Sequence, residues 1–455
     1  MDLLTALFDF KAMGIEVATG AMFVTLFLLL ITGMPLAFVT LLVALIFALG
    51  WFGPMAVPLI TSRIFSFVNS FVFVSVPMFV LMAAILDRSG IARDLFDAMR
   101  VVGGRLRGGI AIQTLLVAVV LAAMSGIIGG EVVLLGLLAL PQMLRLGYDR
   151  RLAIGVCCAG GALGTMVPPS IVLIIYGLTA SVSIGDLFTA SFLPGLMLAS
   201  FYIIYVLVRA YMNPDIAPIP EPDETSTAEK MRLLKGLILP IMVVIFVLGS
   251  IYGGIASVTE ASAIGVIGVT LSTMIRGEFT TELMVGAAKR TLATVGMIVW
   301  IGIGASALVG VFNLMGGITF VSNLITGVSD NPTVIVLFMM AILFVLGMFL
   351  DWVGIALLTM PIFVPIIRDL GLDPVWFGVV FAMNMQVSFL SPPFGPAAFY
   401  LKSVTPPDIS LGEIFRSLLP FIALQILALA ILIAFPGVRS EEHTSELQSQ
   451  ISALP

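Results

Sequence analysis

A proline pair stands twice in this chain in matching surroundings, as Pro168-Pro169 and as Pro392-Pro393, about half the chain apart. Tyr176 recurs as Tyr400, PQMLRLGYD (Pro141 to Asp149) as PIIRDLGLD (Pro365 to Asp373), SIGDLF (Ser183 to Phe188) as SLGEIF (Ser410 to Phe415), and Pro194 as Pro420. Two halves share one plan. A proline removes a backbone donor and clashes with the preceding turn, so each pair breaks the apolar helix that carries it. Within a membrane, broken backbone is tolerated only where it is buried in protein or lines a watery cavity. Paired breaks of this kind are how membrane carriers hold ions and solutes.

That reading needs a membrane, and composition supplies one: the chain is 60% hydrophobic and 10% charged. Ten stretches read as spans, at 17–31, 36–50, 73–87, 152–177, 187–208, 237–254, 255–275, 291–312, 375–400 and 417–435. The N-terminus lacks a basic start and a small-residue cleavage site, so the first span is expected to remain as an anchor. Cys157 and Cys158 are adjacent in an apolar span and read as small packing residues. No GxxxxGK[ST] phosphate loop is present, which argues against direct use of ATP. The segment 209–236, rich in Pro and acidic residues, reads as a cytoplasmic linker between a first half, 15–208, and a second, 237–436. The arginine-rich run from Arg88 to Gly109 reads as a solvated loop with an amphipathic helix and not as a nucleic-acid patch.

Two apolar stretches do not fit a single crossing. Residues 110–144 would make a helix of roughly 50 Å, against a hydrocarbon core of about 30 Å. At its middle lies Ser125-Gly126-Ile127-Ile128-Gly129-Gly130, so the stretch is expected to fold back as a re-entrant hairpin. Its counterpart is 334–368, with a tip at Phe349 to Gly354. Five crossings then separate equivalent points, and the halves are inverted. With Arg88 to Arg107 in the cytoplasm, 17 of the 21 Lys and Arg fall on that side. The fold expected is an all-α integral membrane protein of about ten transmembrane helices and two re-entrant hairpins in two inverted repeats.

Half-helix N-termini attract anions and half-helix C-termini attract cations, so both tips and both breaks are expected to converge on a site for a cation and an anionic solute. The candidates are Ser125 and Gly126 at the first tip, with Gly164, Thr165, Pro168, Pro169 and Ser170 at the first break. The second half offers Asp351 at its tip and Asn384, Gln386, Ser388, Ser391, Pro392 and Pro393 at its break. Their neutral oxygens suit a hard ion such as Na⁺; close helix packing is the competing use of such small residues. A lone carboxylate in an apolar stretch needs a partner, water or a proton. Asp351 is therefore the foremost candidate to hold a cation or organise its tip. Glu131 follows the first tip and could line a cavity, whereas Glu260 in SVTEAS reads as a helix-start residue. No cofactor is expected beyond Na⁺ as a coupling ion.

With SG at Ser125, LPQMLRLGYD, GALGTMVPPSIVLIIYG, TEASAIG, GMFLDWVGIALLTMPIFVPII and SFLSPPFGPAAFYLKSVTP, the chain resembles the large membrane subunit of the tripartite ATP-independent periplasmic (TRAP) transporters. The resemblance covers about 15–436, and QVSFLSPPFG is most similar to the branch labelled mannitol/chloroaromatic. It implies Na⁺-driven uptake of organic acids across the bacterial inner membrane by an elevator motion. It also implies two partners, a periplasmic solute-binding protein and a small four-helix membrane subunit. The chain departs from many relatives at the first tip, where SGIIGGE replaces SGSS-like hydroxyls, and at Val258-Thr259-Glu260-Ala261, where relatives carry PTEA. The tail 439–455 contains the single histidine, His443, and resembles translated sequencing adapter; it is read as non-native. Other readings are a Na⁺-coupled carboxylate carrier without a binding protein, a passive channel, and a membrane hydrolase, the last lacking a histidine base outside the tail.

Overall fold

The computed structural model describes residues 10–103, 106–126, 129–219, 231–233 and 235–435. Ile127 and Ile128 of the first tip, the middle of the expected linker and the tail lie outside them. The described residues are helical throughout, and nine helical runs are long and apolar enough to cross a membrane. Two of the ten expected spans are not continuous. Residues 152–177 fall on α8 (Arg150–Ala162) and α9 (Ile171–Ala180), and 375–400 on α17 (Pro374–Leu390) and α18 (Pro396–Lys402). Each proline pair lies between the two pieces.

The first half begins with α1 (Gly14–Ile31), α2 (Leu36–Phe52), α3 (Ala56–Val68), α4 (Ser75–Arg88) and α5 (Ile91–Gly103). It continues through α6 (Gly109–Ser125), α7 (Gly130–Arg145), α8 and α9 to α10 (Ile184–Met212). The second half runs α11 (Ile238–Tyr252), α12 (Val258–Ile275), α13 (Thr281–Leu314), α14 (Gly317–Thr326), α15 (Pro332–Gly347), α16 (Trp352–Asp369), α17, α18 and α19 (Leu411–Ala434). Helices α6/α7 and α15/α16 are the two hairpins. Their arms are each roughly 25 Å long, too short to span the core comfortably and long enough to reach past its middle.

The sequence repeat is also a repeat of helix starts. Asp149 accepts the Leu152 amide proton at 2.9 Å to begin α8, and Asp373 accepts that of Val375 at 2.9 Å to begin α17. Ser183 and Ser410 start α10 and α19 in the same way. These are N-caps, each satisfying a backbone donor that the helix itself cannot. Glu260 has the structural role expected of it. It completes a capping box with Ser257, whose amide donates to Glu260 Oε2 at 2.7 Å.

Inversion of the halves follows from three contacts between them, and a fourth ties the start of α8 to the segment after α10. Arg150, at the start of α8, pairs with Asp408, just beyond α18, at 2.7 Å. Arg368, near the end of α16, donates to the Ala180 carbonyl at the end of α9 at 2.8 Å. The Tyr176 hydroxyl donates to the Pro374 carbonyl at 2.5 Å, and Asp149 N–H reaches the Ile216 carbonyl at 2.8 Å. So α8 starts where α18 ends, and α9 ends where α17 starts. The broken helices run antiparallel, and the hairpins preceding them enter from opposite faces.

One feature was not anticipated. Leu36–Val68 counts as a single apolar run, yet it folds back on itself at Gly53-Pro54. A Cβ on Gly304 would lie 2.2 Å from Thr40 Oγ1, near the start of α2. One on Gly302 would lie 2.1 Å from the ring of Phe67, at the end of α3. Both ends therefore pack beside the same stretch of α13. The left-handed φ of 65° at Gly53 makes the turn.

Candidate functional site

The two tips meet across one cavity of about 510 Å³. Ser125, Gly129, Gly130 and Glu131 line it from the first tip, Asp351 and Trp352 from the second. Ile171 and Tyr400, each shortly after a proline pair, complete that side. The facing wall is α4, through Val80, Ala84 and Asp87, and α13, through Arg290, Thr294 and Ile298.

At the first tip, backbone meets backbone. Gly126 adopts φ 59°, and a Cβ there would stand 2.1 Å from the Pro169 carbonyl oxygen. The Gly126 carbonyl in turn accepts the Ile171 amide proton at 3.2 Å. Only glycine combines that conformation with so close an approach. Glu131 lies in the first turn of α7, 1% exposed. Ser125 Oγ donates to its Oε1, while Oε2 has no hydrogen-bond partner among the described residues. Gly164 in the first break makes the room: a Cβ there would come 3.0 Å from Glu131 Oε1. The Thr165 and Ser170 hydroxyls donate to the Ala162 and Thr165 carbonyls, at 3.1 and 2.6 Å.

The second tip is built differently. Asp351 is half-buried and is the N-cap of α16, its Oδ2 accepting the Val353 amide proton at 3.1 Å. Behind it, Asn384 Nδ2 donates to the Met340 carbonyl at 3.0 Å, tying α17 to the first arm of the hairpin. Ser388 and Ser391 donate to the Asn384 and Val387 carbonyls, at 3.3 and 2.7 Å. Gln386 is fully buried with neither amide atom bonded. In Thr165, Ser170, Ser388 and Ser391 the hydroxyl proton is spent on a carbonyl and the oxygen lone pairs stay free to accept or coordinate.

The sequence candidates therefore separate into two groups. Ser125, Gly126, Gly164, Thr165, Pro169, Ser170 and Glu131 come together at the first tip, with Ser125 and Glu131 lining the cavity alongside Asp351. Asn384 and Ser388 pack against the first arm of the second hairpin, and neither they nor Gln386 and Ser391 are among the cavity-lining residues. Among the lining residues not foreseen are the polar and aromatic ones Asp87, Arg290, Thr294, Trp352 and Tyr400. Asp87 and Arg290 form an ion pair at 3.0 Å directly over Gly130. The signal was weak, since both stand at the ends of their expected spans, where charges read as solvated and Arg290 counts with the cytoplasmic cations.

Residues 23–438 match the family described as "Tripartite ATP-independent periplasmic transporter, DctM component". The C4-dicarboxylate TRAP transporter large permease protein DctM of Pseudomonas aeruginosa is 28% identical, over 85% of this chain and 90% of its own length. The ectoine/5-hydroxyectoine large permease UehC of Ruegeria pomeroyi is 29% identical over 92% and 97%. The sialic acid large permease SiaM of Vibrio cholerae is 27% identical over 90% and 94%. Among solved structures, the Alcanivorax borkumensis YdaH transporter shares the fold, with a TM-score of 0.60 at 16% identity over 83% of this chain and 87% of that one.

Proposed function

Because the chain belongs to the DctM component family of TRAP transporters, and so is the multi-pass large permease of a bacterial inner-membrane system, we propose that it imports a small organic acid by Na⁺ symport. The observation that carries this reading is the convergence of two oppositely inserted tips, each bearing a carboxylate, on one cavity whose far wall bears a guanidinium. A cation and an organic anion each have complementary charge there. Glu131 Oε2, buried and unbonded, and the lone pairs of the Ser and Thr oxygens supply hard ligands of the kind Na⁺ accepts.

Motion is an elevator in this proposal. The first tip touches Asp87 in the last turn of α4, while the base of the same hairpin lies a full arm beyond. Helix α5 spans the offset, roughly 20 Å long, with Phe96 O accepting from Gln113 on α6 at 2.7 Å. Hairpins and broken helices displaced by an arm's length toward the arginine-rich face correspond to a carrier open to the cytoplasm. The partners proposed are a small four-helix membrane subunit and a periplasmic binding protein that delivers the solute.

Reconstitution in proteoliposomes tests this, with the small subunit, the binding protein and an inward Na⁺ gradient. Uptake should require all three proteins and Na⁺, and no ATP. Undiminished uptake with Na⁺ absent on both sides would refute the coupling; uptake without the binding protein would favour a carboxylate carrier that works alone.

A further inference from the structure

The cavity's charges are unevenly shared. Among the described residues three carboxylates line it, Asp87, Glu131 and Asp351, and one guanidinium, Arg290. Helices α7 and α16 both begin at the cavity, and free helix N-termini would draw an anion. Neither is free. Asp351 caps α16, and Glu131 sits in the first turn of α7. An anionic solute approaching the tips meets carboxylates, and the cationic charge it can reach is on α13.

Arg290 is built to receive it. Its side chain is 44% exposed and that of Asp87 17% exposed, and both line the cavity beside Gly130. Asp87 uses Nη1 at 3.0 Å. The other terminal nitrogen, Nη2, points at the first tip, 2.8 Å from where a Cβ on Gly130 would stand. A guanidinium offers a planar fork that a carboxylate fills with two parallel bonds.

We propose that Arg290 takes the carboxylate of the solute in exchange for Asp87, so that bound solute bridges the α13 wall and the hairpin tips. This rests on the reading of the chain as an organic-acid importer and names the group that recognises the acid. When solute leaves, Asp87 retakes the guanidinium, and neither charge is left buried without a partner. Because Arg290 lies outside both hairpins, its hold on the solute ends when the tips move away along α13.

The test uses charged thiol reagents and needs no knowledge of the solute. In a Cys157→Ala/Cys158→Ala background, Thr294→Cys puts a thiol on the cavity wall one turn from Arg290. Its modification rates by a sulfonate-bearing and a trimethylammonium-bearing methanethiosulfonate are measured on the permease in nanodiscs, the sulfonate standing in for a carboxylate. Arg290→Gln should lower the anion-to-cation rate ratio at least about fivefold, and Asp87→Asn, which frees the guanidinium, should raise it by a similar factor. A ratio unmoved by both variants overturns the proposal. If Arg290→Gln does not fold, the Asp87→Asn arm decides by itself. Ratios that shift as expected in a permease that transports no organic acid would keep the anion site and remove the solute reading. Unmoved ratios alongside Na⁺-dependent uptake would do the reverse.

Discussion

The two hairpin tips descend from one sequence plan, yet they handle a carboxylate in opposite ways. Asp351 precedes its helix and gives its charge to a backbone amide, as an N-cap does. Glu131 lies inside its helix, bonded by one hydroxyl and by nothing else among the described residues, in a space that Gly164 vacates for it. An acid whose charge is already met organises a tip. One whose oxygen is buried without a partner is held ready for something else, since leaving such an atom unmade costs roughly 1 to 3 kcal/mol or more. The geometry thus moves the first expectation for the ion from Asp351 toward Glu131, which the Ser125 hydroxyl holds at the first tip.

The comparison presupposes that the hairpins enter from opposite faces, and the largest expected effect tests that. Leu146→Cys at the exposed base of the first hairpin and Asp330→Cys at the base of the second should label all-or-none with an impermeant thiol reagent. Asp330→Cys should react in intact cells, and Leu146→Cys only after permeabilisation. Equal labelling from outside would end the inverted arrangement and the comparison with it.

The tips also differ in how firmly they are pressed onto their breaks. At Gly126 a new Cβ would strike a backbone carbonyl in a left-handed residue, and neither can yield. At Gly347 it would meet Ser388 Oγ and Cβ, at 2.4 and 2.5 Å, which is a side chain that can be removed. Gly126→Ala should therefore lower uptake at least about tenfold at matched amounts of folded protein, the cost of overpacking where nothing relaxes. Gly347→Ala should lower it less, and Ser388→Gly in the same protein should restore it. Equal losses without rescue would mean that the tips are equally clamped.

Much of this was legible in the sequence because repeated chemistry marks repeated geometry. Asp149 and Asp373 stand at matched positions and both start helices; Ser183 and Ser410 do the same. The hairpins followed from length alone, since a stretch of about 35 apolar residues cannot cross once. The span expected at 36–50 ends just before the turn at Gly53-Pro54, but the return helix α3 was missed because its Thr61, Ser62, Arg63 and Ser66 read as a connection. The far wall of the cavity was invisible in another way. Asp87 and Arg290 belong to helices far apart in the chain, neither of them in the repeated motifs, and only their packing against Gly130 joins them to the tips.

The difference between the two acids becomes sharp in the Na⁺ dependence of uptake. Glu131→Gln keeps the shape and removes the charge, and it should raise the half-saturating Na⁺ concentration at least about tenfold, the scale of one charge-assisted contact. Asp351→Asn keeps the capping acceptor and should shift it by less than about twofold, a few tenths of a kcal/mol. The reverse order would return the ion to the second tip and leave Glu131 as a packing residue.

The bases of the hairpins carry the smallest asymmetry. Tyr148, 4% exposed, accepts the Ile110 amide proton on its hydroxyl oxygen at 3.3 Å, pinning the first hairpin's two ends together. The matched residue after the second hairpin is Leu372, which has no such group. Burial pushes the Tyr148 phenol above its ordinary value, so the neutral form is favoured in the folded protein. A phenol raised in this way stabilises fully below the unfolded value of about 10 and loses that contribution as pH rises through the folded value. Tyr148→Phe should thus cost about 1 kcal/mol in detergent unfolding, constant from pH 6 to 9, because one amide loses its acceptor. Above about pH 10 the wild type should fall toward the variant. A gap that closes already near neutrality would show that the hydroxyl is not what holds this base, and that both hairpins are anchored by packing alone.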